Sequence, residues 1–389
     1  MSTQVSLIFP NQLYKQYPAI HNNRPAYLVE EWHFFNQYQF HKEKLVLHRS
    51  SMKFYEAFLK EQGIVVHYIE SIETQNRIEI LIEKLYSNNV KQIHIVDPVD
   101  SWLLAKIKSS CKKNGIELIL YNCPNFLNSL NDVDAYFSKK KTYFQTDFYT
   151  SQRKSRNILI EKDGKPLGGK WTYDADNRSK FPKKEVVPKI PSATVNQFVK
   201  EAEKYVQKNY PKNYGSINKD HLFAINFIDT EKWLEEFLQD RFEKFGIYED
   251  AIVAKETVLH HSVLSPMLNV GLISPQQIID QAIAFSNKNN VPLNSLDLTS
   301  NTSLTSLFIN DSNIANLDLS NNTLLSSLSL YYNLNPSLTS LDLSSNLSLT
   351  SFSLFRYFNS VNIIFALLCL KYDLKFLIAP VLEEKSSKP

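Results

Sequence analysis

Hydrophobic residues in the first 135 positions form five short runs, separated by longer stretches in which apolar and polar positions alternate with the period of a helix. The runs are rich in β-branched and aromatic residues and lie at 5–9, 26–29, 65–69, 93–96 and 116–120. Helix-like stretches lie between several of them, at 42–62, 74–87 and 100–113. Strands that alternate with helices of this length predict a doubly wound parallel sheet over residues 1–135. In that α/β fold, ligands bind beyond the carboxyl ends of the strands.

The pattern changes near Tyr136, where lysines and arginines begin to interleave with aromatic residues up to Arg156. Such a segment can hold phosphates and stack on bases. A solvated helix whose aromatic residues face a core explains the same pattern and is the more frequent case. The stretch 168–178, with a glycine pair, two aromatic residues and a polar cluster, predicts an ordered loop. Prolines then mark the end of an inter-domain linker over 136–193.

Residues 194–292 return to a helical period, with apolar stripes that include Trp233 and Phe237, and we interpret these stripes as core positions. A leucine-rich pattern replaces them at about Leu293. Its leading apolar residues recur at intervals of 10, 11 or 13 positions, at Leu296, Leu307, Leu317, Leu328, Leu341 and Phe352. The motif Leu-x-Leu-x-x-Asn fills a solenoid core with leucines, and its asparagine bonds the backbone of a turn. Residues 293–357 therefore predict two to three coils of a leucine-rich repeat, followed by an irregular tail over 358–389.

Composition narrows the choice of partners and compartment. With 43% hydrophobic and 21% charged residues, the chain has the composition of an ordinary soluble protein. A net charge of +3 is too small to indicate nucleic-acid binding by itself. The cysteines Cys111, Cys123 and Cys369 form no metal-binding pattern, so we expect no metal site and a reducing cytoplasm. No secretory signal is evident, and the apolar run at 363–370 is too short for a membrane span.

Five motifs follow one another in a fixed order, at 9–13, 41–52, 168–178, 245–251 and 261–275. Together they resemble the prokaryotic cryptochrome/photolyase family that carries an iron-sulfur cluster, the group that contains the bacterial (6-4) photolyases. The similarity extends from about Ser6 to Leu296. The resemblance implies an α/β domain that holds an antenna chromophore, a helical domain that binds FAD, and light-driven repair of damaged DNA.

The resemblance also implies two sets of cofactor residues. For the antenna, a ribityllumazine in similar members, the matching positions are Phe9, Pro10, Glu30, Phe34, Gln37 and Asp100. For FAD they are Tyr248, His261, Ser262, Leu264, Ser265 and Asn269. A turn that enters a helix suits a pyrophosphate, since it offers free N–H groups and a favourable dipole. The alternative interpretation of this motif needs no flavin: Ser262 caps a helix, and His261 is a surface histidine.

In the family that this chain resembles, the loop that matches residues 168–178 lies near bound DNA. Arg178 is therefore the best single candidate for a DNA contact. The resemblance also favours a DNA-facing surface at Lys139, Lys140 and Arg153, with the solvated helix as the alternative. We therefore expect damaged DNA as a partner.

The family completes its FAD site beyond the position of Leu296, where this chain has repeats instead. In the family, that missing region supplies the lesion pocket and the four cysteines that hold the iron-sulfur cluster. The three scattered cysteines of this chain cannot replace them. We expect a partial FAD site, no iron-sulfur cluster, no catalytic residues and no light-dependent repair. Three hypotheses remain: a photolyase-related flavoprotein without repair activity, a leucine-rich-repeat protein that binds a partner protein, and a non-productive gene fusion.

Overall fold

The computed structural model describes residues 3–189, 193–217, 223–289, 298, 302–310, 317–331, 340–355 and 362–365. The chain divides into two compact units. Unit 1 consists of Met1–Lys140, Lys189–Gln239 and Ser262–Asp280. Unit 2 consists of Lys141–Pro188, Asp240–His261 and Gln281–Pro389. The helical region predicted over 194–292 thus contributes residues to both units.

Strands and helices alternate through the first 137 residues. The strands are β1 (Gln4–Ile8), β2 (Ala26–Val29), β3 (Val66–Ile69), β4 (Gln92–Val96) and β5 (Glu117–Tyr121). The helices among them are α1 (Trp32–Phe35), α2 (Lys42–Glu61), α3 (Ile78–Ser87), α4 (Ser101–Asn114) and α5 (Leu130–Phe137), with a 3₁₀ turn at Thr74–Asn76. The later helices are α6 (Gln145–Arg156), α7 (Gln197–Asn209), α8 (Phe227–Asp240), α9 (Phe242–Phe245), α10 (Ser265–Val270) and α11 (Pro275–Asn289).

The sheet of unit 1 has five parallel strands in the order β3-β2-β1-β4-β5. The predicted α/β fold is therefore confirmed for this part of the chain. The chain proceeds outward from β1 to β3 on one side and continues at β4 on the other, so the strand order reverses between β1 and β4. At such a reversal the loops after the strands diverge and leave a crevice at the carboxyl edge of the sheet.

Buried apolar residues hold α3 and α4 against one face of this sheet. Leu7, Ile93 and Ile95 of the strands pack there with Ile82 of α3 and Ile107 of α4, all fully buried. Local signals fix the limits of α4, because the Asp100 carboxylate accepts a hydrogen bond from the Leu103 N–H at 2.8 Å and Gly115 ends the helix at φ 65°. The helix α2 packs against α7 and β3.

Unit 2 contains a stack of short parallel strands at its carboxyl-terminal side. Strands β6 (Ser306–Asn310), β7 (Ser327–Tyr331) and β9 (Ser351–Phe355) form one sheet, and β8 (Ser340–Leu343) pairs with β10 (Asn362–Phe365). Leucines from successive strands share one core with Phe352. The Asn346 amide donates to the Leu319 carbonyl at 3.0 Å and the Asn322 carbonyl at 2.8 Å, which ties one turn of the stack to the turn before it.

Several predicted features of the repeat lie outside the described residues. They are the change of pattern at Leu293, the first repeat position Leu296, and the 358–389 tail apart from 362–365. Among the described residues, no helix is both long and apolar enough to cross a membrane.

Candidate functional site

The six residues predicted for the antenna lie at the carboxyl ends of the strands of unit 1. Phe9 and Pro10 follow β1 and are buried, and Glu30 follows β2 with no exposed surface. The other three, Phe34 in α1, Gln37 beyond it and Asp100 at the start of α4, are partly exposed. The fold thus brings these positions to the edge where a parallel sheet binds ligands.

The Asp100 carboxylate contacts the ring of His33, which in turn contacts Trp102. The His33 Nε2 atom lies 3.0 Å from the Asp100 carboxylate, and the His33 ring meets Trp102 edge-on at 6.2 Å. The preceding residue, Val99, has a φ of 57°. Left-handed backbone is costly for a β-branched residue and is more often retained at ligand sites than elsewhere.

Sequence reasoning missed His48, a buried histidine on α2 that lies beside this edge. Its ring meets Phe34 at 6.0 Å, and it hydrogen-bonds the backbone of Pro10. Burial lowers the pKa of His48 to about 3, so the ring is neutral at physiological pH. Its Nδ1 atom has no hydrogen-bond partner among the described residues. Because the ring is neutral and its other nitrogen donates to the Pro10 carbonyl, Nδ1 carries no hydrogen. A buried acceptor without a partner is unusual, and this one is able to accept one bond from a ligand.

Glu30 has a different environment from the other antenna candidates. Its Oε1 atom accepts hydrogen bonds from Arg49 at 2.9 Å and from the Tyr68 hydroxyl at 2.7 Å. Its Oε2 atom accepts from the Ser71 N–H at 2.8 Å. Both oxygens are therefore engaged inside the protein, and Glu30 can shape the edge of the sheet without contacting a ligand. The neighbouring Glu31 is also buried, and burial raises its pKa to about 7.

A separate cleft of about 820 Å³ lies over β2 and β3. Its lining includes Tyr27 and His67, which stack with ring centres 4.6 Å apart, and the basic residues Arg24 and Lys84. None of the six antenna candidates lines this cleft. The cleft and the carboxyl edge of the sheet are therefore different places on unit 1.

Four of the six FAD candidates belong to unit 1. Leu264 is buried, whereas Ser265 and Asn269 on α10 are exposed. The carbonyl of Ser262 accepts a hydrogen bond from the Trp233 indole at 3.2 Å. Between them Val263 has a φ of 55°, a second β-branched residue in left-handed backbone. The 262–265 segment is therefore a constrained turn that leads into a short helix.

The other two FAD candidates, Tyr248 and His261, belong to unit 2. The Nδ1 atom of His261 accepts from the Leu259 N–H at 3.1 Å, and its Nε2 atom lies 2.9 Å from the Glu249 carbonyl. Tyr248 is buried and stacks on His260 at 5.6 Å. Sequence reasoning missed His260, which is buried and whose pKa is lowered by that burial.

The residues predicted to contact DNA fall into two groups. Arg178 is exposed, and its guanidinium makes long ion pairs with Asp250 at 3.4 Å and Asp174 at 3.8 Å. Lys139 and Lys140 are exposed as well. Arg153, by contrast, is only 5% exposed. Its guanidinium donates to four backbone carbonyls, those of Ile158, Leu159, Lys170 and Trp171, at distances of 2.6 to 3.4 Å.

Positive charge is concentrated in this part of unit 2. The 141–188 segment has eleven basic and six acidic residues, an excess of five, whereas the whole chain has an excess of three. The remainder of the chain is therefore slightly acidic. The excess of basic residues noted in the sequence from residue 136 onward is a local property of the 141–188 segment.

Comparison with known proteins gives consistent matches. The family model for deoxyribodipyrimidine photo-lyase-related protein matches residues 6–222. A (6-4) photolyase of Agrobacterium fabrum is 24% identical over 263 residues, which are 66% of this chain and 51% of that protein. An uncharacterised protein of Acanthamoeba polyphaga mimivirus is 30% identical over 191 residues, 46% of this chain and 96% of that protein.

A second uncharacterised protein of the same virus is 49% identical over 47 residues, 12% of this chain and 36% of that protein. The chain spans about half the length of the (6-4) photolyase that it matches. The family model covers more than half of the chain and includes the α/β part from the middle of β1 onward, with the carboxyl edge of its sheet. The chain therefore belongs to the family of deoxyribodipyrimidine photo-lyase-related proteins.

Proposed function

We propose that the chain binds DNA, including damaged DNA, through a basic face of unit 2 that consists of α6 and the 168–178 loop. The observation that carries this proposal is the Arg153 clamp. A buried guanidinium bound to four carbonyls holds the loop against the end of α6. The clamp leaves Arg178 on the surface of an ordered loop, where a phosphate can reach it.

The far end of the loop is held by a second set of bonds. The Asn177 carbonyl accepts from the Asp250 N–H at 3.1 Å, and the Ser179 N–H donates to the Ile247 carbonyl at 3.2 Å. Arg178 therefore projects from a backbone that is bonded on both sides of it. Because the backbone here is already ordered, binding of an anion by the side chain costs less conformational freedom than it would on a flexible loop.

The charge of the region suits a polyanion. An excess of five positive charges within 141–188 attracts phosphates over a distance of about 10 Å at 0.1 M salt. The acidic neighbours Asp174 and Asp250 are 77% and 53% exposed, and exposed ion pairs of this kind contribute little. A phosphate can therefore replace them as the partner of Arg178. Membership of a photo-lyase-related family gives this anion site its expected ligand, which is DNA.

Replacement of Arg178 by glutamine is expected to weaken binding of a lesion-containing duplex by about five- to tenfold at low salt. The loss of one phosphate contact should also reduce the slope of log affinity against log salt by about 1. Fluorescence anisotropy across a series of NaCl concentrations measures both quantities. Lys113→Gln removes the same charge from an exposed site on unit 1 and serves as the control. Equal effects of the two variants would count against this site.

Antenna binding at the carboxyl edge of unit 1 is a second candidate function, favoured by the Nδ1 atom of His48, which has no hydrogen-bond partner in the part of the chain that the structure describes and lies on a ring edge-on to Phe34. A ribityllumazine of the kind used by similar proteins is the ligand to try, and its fluorescence on addition of protein is the measurement. His48→Phe keeps an aromatic ring but removes the nitrogen, so unchanged binding by this variant would argue against a role for His48.

FAD binding and light-driven repair are proposals that come from the family alone. We propose that this chain binds FAD weakly through the 262–269 turn, and that it does not repair DNA by itself. Repair needs an excited reduced flavin beside the damaged base, and leucine-rich text follows the flavin motif in this sequence. Purified protein should therefore lack flavin absorption and light-dependent repair. Stoichiometric FAD after purification would contradict this proposal, and the absence of an iron-sulfur cluster is tested in the same spectrum.

The stacked strands of unit 2 support a leucine-rich repeat that binds a partner protein, as an alternative function. The asparagine bonds between turns and the shared leucine core are the supporting observations. A protease-resistant fragment that contains residues 302–355 and retains a purified partner would favour it. The nucleotide sequence around codons 290–300, read in independent clones, tests whether the junction is real. A non-productive gene fusion would reproduce the junction in every clone, whereas an artefact of sequence assembly would not.

A further inference from the structure

Three exposed aromatic side chains lie at the start of α6, and the proposed DNA contact through Arg178 does not use them. Tyr143 is 78% exposed, Phe144 is 63% exposed and Tyr149 is 47% exposed. All three fall within seven residues of one another in unit 2. Single exposed apolar side chains are common on protein surfaces, but clusters of them mark binding sites more often than chance.

Cations alternate with aromatic rings from α6 into the loop. The Arg153 guanidinium lies 5.9 Å from the centre of the Tyr149 ring and 5.4 Å from that of Trp171. The Lys154 ammonium lies 4.6 Å from the centre of the same Trp171 ring. Cations of the protein thus lie over the rings nearest the loop, and Tyr143 and Phe144 are the most exposed rings of the segment.

Basic residues lie at both ends of α6. Lys141 is two positions before Tyr143 in the sequence, whereas Lys154 and Arg156 lie in the last turn of the helix, about 15 Å or more along its axis from Phe144. One acidic residue, Asp147, lies in the first turn of α6 and is exposed. Exposed rings flanked by lysine and arginine are the arrangement with which proteins bind single-stranded nucleic acids, since phosphates meet cations while bases stack on rings.

We propose that Tyr143 and Phe144 form a stacking platform for unpaired bases, so that the chain binds single-stranded or locally opened DNA more tightly than intact duplex. This inference rests on the proposed binding of DNA by the same face of unit 2. Phosphate contacts at Arg178 act on both forms of DNA, because both expose their backbones. Stacking acts only where bases are unpaired, because the flat faces of bases in a duplex are covered by their neighbours.

The experiment compares two labelled probes with the full chain at one salt concentration, a 16-nucleotide oligothymidylate and an undamaged 16-base-pair duplex. The unchanged protein should bind the single strand more tightly. The double variant Tyr143→Ala, Phe144→Ala should weaken binding of the single strand by about tenfold or more and leave duplex binding within about twofold. The exchange Tyr143→Phe, Phe144→Tyr keeps both rings and should retain binding of the single strand.

Ile252→Ala removes another exposed apolar side chain of unit 2, 92% exposed, and serves as the control for general loss of surface. If the alanine variant weakens both probes equally, the rings stabilise the protein and the platform is overturned. If it weakens neither while Arg178→Gln weakens both, DNA binding stands and the platform is overturned. If the unchanged protein binds neither probe, the proposed function itself fails.

A second measurement does not depend on how the variants fold. Photocrosslinking of a 4-thiothymidine oligonucleotide to the unchanged protein should label the peptide that contains Tyr143 and Phe144. The matching duplex should label this peptide much less. Equal labelling by single strand and duplex, or labelling confined to other peptides, would contradict stacking at these residues.

Discussion

Replacement of Arg49 by methionine is expected to lower the free energy of unfolding by about 3–5 kcal/mol. Arg49 is 2% exposed, and its Nη1 atom lies 2.9 Å from the Glu30 carboxylate. Its Nη2 atom lies 3.0 Å from Glu70 and 2.6 Å from Glu201, which belongs to α7. The Tyr205 ring covers the guanidinium at 3.3 Å. One arginine therefore joins two strand ends to the helix that packs on α2.

The size of the effect follows mainly from Glu30. Without Arg49 its carboxylate would stay fully buried with no cation, and an unpaired buried charge is among the most costly defects in a protein. Glu70 and Glu201 contribute less because their side chains are 33% and 45% exposed and water can reach them.

Urea denaturation followed by fluorescence measures the loss. Arg49→Lys should be more stable than Arg49→Met but less stable than the unchanged protein. An ammonium group lacks the several N–H donors of a guanidinium, which point in fixed directions and bind several carboxylates at once. Lys60→Met removes an exposed partner of Glu56 and should change stability by less than about 0.5 kcal/mol. A loss below about 1 kcal/mol in Arg49→Met would show that the cluster is not needed to hold α7 on the sheet domain.

Replacement of Gly271 by alanine is expected to destabilise unit 1 by about 2–3 kcal/mol, from strained backbone and overpacking together. Gly271 ends α10 with a φ of 89°. A methyl group at this position would lie 2.7 Å from the Tyr14 ring and 2.8 Å from the backbone nitrogen of Leu13. That nitrogen already donates to the Val270 carbonyl at 2.9 Å, so the two segments cannot separate without losing a bond.

Gly115→Ala is the matched control, because Gly115 has a φ of 65° and nothing lies within 4 Å of an added methyl group. It carries the backbone penalty alone, about 1 kcal/mol. The difference between the two variants in thermal or urea unfolding therefore isolates the contact between the loop after β1 and the end of α10. Equal losses for the two variants would show that this contact yields easily.

The sequence predicts the sheet domain well because its information is local. Alternating runs and turn residues such as Asp100 and Gly115 lie beside the elements that they define. The clamp at Arg153 could not be predicted, because its partners are backbone carbonyls and these carry no signature in the sequence. In the sequence, a buried arginine of this kind is indistinguishable from one that binds phosphate. Arg178, which is exposed, lies in the same basic segment as the buried Arg153, and the sequence alone does not separate the two.

Contacts between residues that are distant in the sequence explain the other features that the sequence could not predict. Glu30 is an antenna candidate because it matches a position of the family that the chain resembles, but Glu201, which shares Arg49 with it, lies 171 positions away along the chain. Nothing in the sequence around Glu30 reveals that both its oxygens are used. His48 and His260 were missed for the same reason, since their burial depends on rings contributed by other elements.

The proposed function requires that α6 and the 168–178 loop are the face that binds DNA. Amide hydrogen exchange of the full chain, with and without a lesion-containing oligonucleotide, tests this requirement directly. Exchange in 145–156 and 168–178 should slow on DNA binding, with little change in α3 and α4. Protection confined to the carboxyl edge of the sheet or to the stacked strands of 302–355, with none in α6 or the loop, would contradict it.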